Sequence, residues 1–572
     1  MELSAGTVRR VNGPLVEVDG LTGVAMLDVV HLGPERIAAE VVGLAGERAT
    51  LQAYEYTGGL RPGHQAEATG DRLSGLFGPG LLGQAFDGLL RPLSGAPVWL
   101  TPDREVGAGD RAWQFEARVS VGDEVVPGTV LAVVPEAGPV EHRVVAPAGV
   151  RGRVTWVADG PVTVTEPALR VDDRDVALAE RWPLRVPRPF RERLSQVVPL
   201  HTGQRVLDLL YPIARGAAAA VPGGFGTGKT LLLQQIAKWS EADVVVYVGC
   251  GERGNEMAEV LTELALVPDE RTGGRLVDRT VIIANTSNMP MMAREASIHS
   301  GIAVAEYFRD MGYDVVVIAD STSRWAEALR EFANRTGDLP AEEGYPATLA
   351  SELAAFYERA GRVVTLGGRT ASTTVIGAVS PPGGDMTEPV TTGTQRFIRS
   401  LWLLDRDLAY ARHYPAVSWN GSFARDADAV GAWHAARGDP AWRSRRATAT
   451  ALLAEADRLA SLAEVIGTSS LPAHERVVLL AGRLLRDAVL QQNALSGNDA
   501  SCTAAKGAAL LGGVLDVVDG CQRLVARGVA ATTVEETDLA DLVRVREEVG
   551  PGDAEGVAQR CAEVLARLEE LA

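Results

Sequence analysis

Lysine is almost missing from this chain: of 56 basic residues only Lys229, Lys238 and Lys506 are lysine, against 53 arginines. Where arginine has taken nearly every cationic position, a surviving lysine marks a place that needs a compact ammonium. Cysteine is scarce too. Cys250, Cys502, Cys521 and Cys561 include no Cys-x-x-Cys pair, which argues against a thiolate metal site or a disulfide framework and reads as reduced thiols. Aromatic residues make up 5%. No apolar run approaches the 18 or so residues of a membrane-spanning helix. The first residues, Met1 to Gly6, lack the charged and apolar regions of a secretory leader, so none is expected. A net charge of −18 disfavours nonspecific binding to nucleic acid or anionic lipid.

With 572 residues the chain is too long for one core, and three to four domains are expected. Residues 1–70 read as short strands, Gly6 to Gly13, Leu15 to Val18 and Ala25 to Val30, closely punctuated by Gly and Asn-Gly; this predicts a small antiparallel barrel. A Gly/Pro-rich connector occupies 71–110. Residues 111–185 return to strand and turn, with Val119 to Gly128 and Val154 to Val157 as the clearest segments. The Gly122-Asp123 and Pro127-Gly128 spacing is that of biotinyl or lipoyl carrier sandwiches, which need an attachment lysine, and no lysine precedes Lys229. A structural or partner-binding β insert is the remaining reading.

From 186 to 425 the texture changes. Val244 to Val248, Val281 to Ala284 and Val315 to Ala319 are short continuous apolar runs, the pattern of parallel strands buried on both faces. Helix-length stretches lie between them, such as 293–311 with Ala293, Ala296, Ile302, Ala305 and Phe308 at near-helical spacing. A doubly wound α/β domain follows. Residues 426–572, rich in Ala, Leu, Arg and Glu, predict a helical bundle with helices over 442–465, 473–490 and 553–571.

Gly223-Gly224-Phe225-Gly226-Thr227-Gly228-Lys229-Thr230 has the full spacing of a phosphate-binding P-loop, after the apolar stretch Ala217 to Val221 and before the helical run Leu231 to Ile236. Its glycines let successive backbone N–H groups face a phosphate at a helix N-terminus. Lys229 is expected to reach the β- and γ-phosphates and the Thr230 hydroxyl to bind Mg²⁺. Asp320 ends an apolar strand, as a Mg²⁺-directed carboxylate does in such domains, although a strand-ending Asp also caps the helix after it. Glu252, in Gly251-Glu252-Arg253-Gly254, follows another strand and suits orienting a water toward the γ-phosphate; the alternative is a helix-start carboxylate. From the residues alone, Arg253 and Arg324 are equally charge stabilisers or structural ion pairs.

Beyond the P-loop, the segments Gly249 to Met257, Thr286 to Pro290, Ala293 to Ala296, Ala305 to Asp314, Ala319 to Glu331, Gly344 to Ala347 and Ser380 to Asp385 make the chain resemble the catalytic A (alpha) subunits of A/V-type rotary ATPases, nearly end to end. The β insert is a second match, corresponding to the bulge domain that F-type β subunits and flagellar or type III export ATPases lack. The non-catalytic B subunit lacks an intact P-loop. The resemblance implies a RecA-like nucleotide-binding domain and an ion-translocating ATPase or ATP synthase using ATP/ADP and Mg²⁺. It further implies an alternating ring of three catalytic and three B subunits, central and peripheral stalks, and coupling to H⁺ or Na⁺ movement through a membrane sector. The complex would sit on the cytoplasmic face of the membrane, and no nucleic acid is involved. Residue by residue, it gives Gly228, Lys229, Thr230 and Asp320 nucleotide and Mg²⁺ roles, makes Glu252 the water-activating group, and places Arg253 and Arg324 near the phosphates. An arginine finger would come from the B subunit, and the C-terminal helices would push on the stalk.

Three departures stand out. Family members usually carry Pro and Ser where this loop has Gly224 and Thr227, and both replacements are compatible with a backbone cradle. They commonly carry adenine-side aromatics where this chain has Met386 and Leu495, which keeps apolar contact but not stacking. Some eukaryotic members have a redox-active P-loop cysteine, for which Thr227 cannot substitute. Two other readings fit less well: a RecA-like helicase, opposed by the acidic charge and the β insert, and a degenerate nucleotide-binding ring subunit, opposed by Lys229, Glu252 and Asp320 all being present.

Overall fold

The computed structural model describes residues 5–97, 100, 111–269, 271–337 and 339–571. Two compact units emerge, Met1–Ser195 with Ala242–Val379 and Thr387–Phe397, and Gln196–Glu241 with Ser380–Met386 and Ile398–Ala572.

The first unit opens with a closed six-stranded antiparallel barrel, Ala5–Asn12, Leu15–Asp19, Asp28–Leu32, Ile37–Ala45, Arg48–Ala53 and Gln65–Arg72, ordered first, second, fifth, fourth, third, sixth. Two-residue turns set its hairpins: Asn12 pairs with Leu15 around Gly13, and Ala45 with Arg48 around Gly46, both glycines having positive φ. Alternate residues, among them Val8, Val16, Val18, Val30, Leu32, Val41 and Leu51, fill the interior, and closure leaves no edge strand. The strand expected from Ala25 starts later, at Asp28. The Asp28 carboxylate accepts the Ala25 N–H at 2.7 Å and Leu27 takes φ 71°, so local turn formation displaces strand pairing there.

The β insert folds as a four-stranded and a three-stranded sheet around one apolar core. Within the strand-and-turn segment Val119 to Gly128, the first residues form a turn: Asp123 accepts the Ser120 N–H and Gly122 donates to the Val154 carbonyl, both at 2.8 Å. Gly128 has φ 89°, and a Cβ there would lie 2.1 Å from the Gly367 nitrogen, so close backbone approach fixes this glycine.

The same unit carries a parallel ladder in the order Thr370–Val379, Asp314–Asp320, Val244–Cys250, Thr280–Asn285, Ala85–Phe86. Val244–Cys250 and Thr280–Asn285 are buried throughout, as continuous apolar runs require. The helix Met291–Asp310 is buried at every position from Met292 to Arg309 except Arg294, which explains its weak amphipathic pattern.

The second unit contains the buried strand Ala218–Pro222, parallel to Ser400–Leu401, which pairs antiparallel with Phe423–Ala424. Its helices include Lys229–Trp239, Ala427–Ala435, Trp442–Ile466, Ala473–Leu484 (continued as a π-helix to Leu490), Ala504–Ala526, Ala540–Glu548 and Ala554–Glu569. Lys506 is fully buried, and its ammonium donates to the carbonyls of Asn498 at 2.8 Å, Arg546 at 2.8 Å and Val549 at 3.0 Å. Three convergent acceptors suit a tetrahedral ammonium better than a planar guanidinium, which accounts for a lysine in an arginine-rich chain. No described helix is long and apolar enough to cross a membrane.

Candidate nucleotide site

In the second unit, the loop after Ala218–Pro222 is shaped by glycines with distinct reasons. A Cβ at Gly223 would lie 2.7 Å from Thr227 Oγ1 and 2.8 Å from Leu404 Cβ, so no larger residue fits. Gly226 and Gly228 hold φ of 78° and 85°. Gly224 has open space around its Cβ position, so a side chain there meets no steric bar. Gly228 caps the helix Lys229–Trp239, whose first turn carries no acidic side chain, so the helix dipole there favours an anion.

Thr227 Oγ1 donates to the Gly224 carbonyl at 2.9 Å. The Lys229 ammonium donates to the carbonyls of Gly223 at 2.6 Å and Gly224 at 3.1 Å, lying across the mouth of its own loop. Thr230 follows on the first helical turn, and Phe225 is 92% exposed at the loop tip. Met386 is half-buried in the short segment 380–386, and Leu495 is 96% exposed.

Sequence reading missed Tyr414. Its Cε1 lies 3.2 Å from where a Gly228 Cβ would stand, so an aromatic ring does flank the P-loop. Its carbonyl accepts the Gln492 N–H at 2.8 Å, and Gln492 Nε2 donates to the Gly203 carbonyl. The Tyr414-Pro415 pair that follows the short helix Arg406–Tyr410 was the available signal, but nothing local in the sequence points it at Gly228.

The acidic residues belong to the first unit. Val244–Cys250 and Asp314–Asp320 are adjacent parallel strands with Gly249 opposite Asp320, so the Gly251-Glu252 turn and Asp320 emerge at the same carboxyl edge. Asp320 is 3% exposed and accepts a hydrogen bond from the Tyr247 hydroxyl at 3.3 Å. Burial, then the Asp320 charge, then a hydrogen bond with Glu256 push the Glu252 carboxyl up to about 8, with Arg324 pulling the other way. Glu252 is therefore poised between acid and base near neutral pH. The Tyr247 hydroxyl is also raised, by burial and by Asp320.

Arg324 bonds both Glu327 oxygens at 2.8 and 3.0 Å, and its Cβ lies 2.8 Å from where a Gly251 Cβ would stand. Arg253, at the start of the helix Gly254–Leu266, keeps a largely exposed guanidinium 3.8 Å from Glu256. Both arginines are thus in ion pairs beside the Glu252 turn and exposed enough to exchange carboxylate for phosphate. Thr230 and Asp320 offer hydroxyl and carboxylate, hard donors that suit Mg²⁺. No group of three or more His, Cys, Asp or Glu able to hold a metal occurs among the described residues.

Four family models match. The ATP synthase alpha/beta family nucleotide-binding domain covers 203–424, its beta-barrel domain 8–70, the ATP synthase alpha/beta subunit barrel-sandwich domain 108–185, and the C-terminal domain of V and A type ATP synthase 431–531. The V-type ATP synthase alpha chain of Anaeromyxobacter sp. (strain K) is 50% identical over 577 residues, covering 99% of this chain and all of that protein. The A subunit of the A-type ATP synthase of Thermococcus kodakarensis is 45% identical over 584 residues, with 99% of each chain covered. Among solved structures, the assembled ATPase EscN of the enteropathogenic E. coli type III secretion system matches with TM-score 0.66 over 90% of this chain and 100% of that one, at 20% identity, a likeness of fold.

Proposed function

We propose, from the premise that this chain belongs to the family of V/A-type ATP synthase alpha chains, the A subunits, that it is the catalytic, Mg-ATP-handling component of an ion-translocating rotary ATPase or ATP synthase. Family membership supports ATP/ADP binding and a place in a multisubunit, membrane-associated complex. The finer assignments are ours: an alternating ring with three non-catalytic B subunits, central and peripheral stalks, and a position on the cytoplasmic face, with H⁺ or Na⁺ moved by membrane subunits.

The observation that carries the catalytic reading is the half-buried Glu252 carboxyl, raised to about 8, at the strand edge it shares with Asp320. A residue serving only to bind nucleotide has no need of such a carboxyl. In our reading the backbone N–H groups of Gly226 to Thr230 and the Lys229 ammonium hold the triphosphate. Lys229 would leave the Gly223 and Gly224 carbonyls to do so. Thr230 and Asp320 hold Mg²⁺, which when bound neutralises and orients phosphate oxygens. Glu252 orients the attacking water and, in its ionised form, takes up the proton. Arg253 and Arg324 release Glu256 and Glu327 to meet charge on the phosphates. On the adenine side Met386 and Leu495 supply apolar contact, and the Tyr414 ring provides an aromatic face.

The test is to co-express the chain with its cognate B subunit, then measure Mg²⁺-dependent ATPase. Lys229→Ala is expected to lose nucleotide binding, and Glu252→Gln to bind ATP while kcat falls about 10²- to 10⁴-fold. Full activity in Glu252→Gln would refute the water-orienting role. Absence of a ring, with hydrolysis stimulated by RNA, would overturn the rotary reading itself.

A further inference from the structure

Arg294 stands in the first turn of Met291–Asp310, where the helix dipole disfavours a cation, on a helix otherwise buried from Met292 to Arg309. Something other than helix formation must hold it there. Its Nη2 donates to the Ser287 carbonyl at 3.0 Å. The Ser287 N–H in turn donates to the Glu252 carbonyl at 2.9 Å, and the Gly251 N–H to the Asn285 carbonyl at 2.7 Å. The Arg294 side chain also occupies the space under Gly251: its Cδ and Nε lie 3.2 and 3.3 Å from where a Gly251 Cβ would stand, opposite Arg324. Its Nε is buried and has no hydrogen-bond partner among the described residues. The Arg294 carbonyl accepts from Ser297 Oγ at 2.6 Å and from the Cys250 thiol at 3.5 Å, so the backbone at this position is fastened to the strand that leads into the Glu252 turn.

We infer that Arg294 is a positioning residue for Glu252, clamping the Ser287 segment that holds the Glu252 carbonyl and supporting the Gly251 turn from beneath. The inference rests on the role proposed above for Glu252. Arg294 itself touches no reacting atom; it fixes the point from which the Glu252 side chain departs. A shift of about 1 Å in such a group costs up to about 10²-fold in rate while leaving ground-state binding alone.

The experiment compares wild type, Arg294→Met, Arg294→Lys and Glu252→Gln in the assembled complex, measuring kcat, KM and equilibrium Mg-ATP binding. Arg294→Met is expected to lower kcat about 10- to 100-fold with ATP binding essentially unchanged, and Arg294→Lys, which still reaches the Ser287 carbonyl, to recover part of the loss. A normal kcat in Arg294→Met overturns the inference. So does parallel loss of kcat and ATP binding that lysine fails to rescue, the signature of a merely structural residue. Should Arg294→Met fail to assemble, the neutral, shorter Arg294→Gln takes its place: reduced kcat at unchanged binding supports the clamp, and wild-type kcat refutes it. Glu252→Gln separates the two assignments. If it is inactive while Arg294→Met is normal, only the Arg294 inference falls; if it is fully active, the Glu252 assignment falls first.

Discussion

Glu252 shows how one residue ties chemistry to stability. A carboxyl raised to about 8 in the folded chain is mostly protonated at neutral pH, with an ionised fraction that can act as base, whereas in the unfolded chain it ionises at the ordinary carboxylate value. Between those two values folding takes up a proton, so this contribution to stability is present at low pH and is lost as pH rises to about 8. Gln mimics the protonated state. The melting temperature of Glu252→Gln should therefore match wild type near pH 5 and exceed it progressively toward pH 9, in the absence of nucleotide and Mg²⁺. A constant gap across that range would contradict the burial of this carboxyl beside Asp320. Lys506 gives a second residue-scale prediction. Lys506→Met leaves three inward-facing carbonyls without their donor, and a loss of about 1–3 kcal/mol is expected. Lys506→Arg should fail to restore it, because a planar fork cannot meet the three acceptors as the ammonium does; denaturation of the purified chain measures both. The scarcity of lysine made Lys506 visible in the sequence before its partners were known. Tyr414 and Arg294 were not visible. Tyr414 meets the P-loop across nearly two hundred residues, and Arg294 looks like an ordinary polar residue of a helical stretch until Gly251 and Ser287 are placed beside it.

Whole elements were far more legible than such contacts. The runs around Val246, Ile282 and Val317 became parallel strands because continuous burial leaves no polar face to write into the sequence. The P-loop was legible because its glycines and lysine act through local backbone geometry. The turn at Ala25 reads as strand in the sequence, because a single side-chain-to-backbone bond from Asp28 outweighs a short apolar pattern. The docking of the β insert was hidden for a related reason: it depends on Gly128 meeting Gly367. Gly128→Ala should loosen the insert, seen as earlier proteolytic cleavage within residues 116–177; unchanged protection would contradict the close approach. At the far end of Trp442–Ile466, Val465 is 82% and Ile466 46% exposed next to the Gly467 turn. If these helices press on a stalk, Val465→Glu should lower ATP-driven ion transport more than ATP hydrolysis, measured on the same preparation.

At the scale of the molecule, a P-loop unit and an acidic strand-edge unit share one chain, and relatives match that chain over nearly its whole length. The −18 net charge disfavours nonspecific nucleic-acid binding, and no described helix is long and apolar enough to cross a membrane. The central claim is that ion movement by the complex is driven by chemistry on this chain. The direct measurement is ATP-driven ion uptake by vesicles containing the reconstituted complex, with either the wild-type chain or Glu252→Gln and every other component unchanged. Rapid uptake is expected with wild type and almost none with Glu252→Gln, although ATP still binds. Equal uptake by the two would contradict the claim.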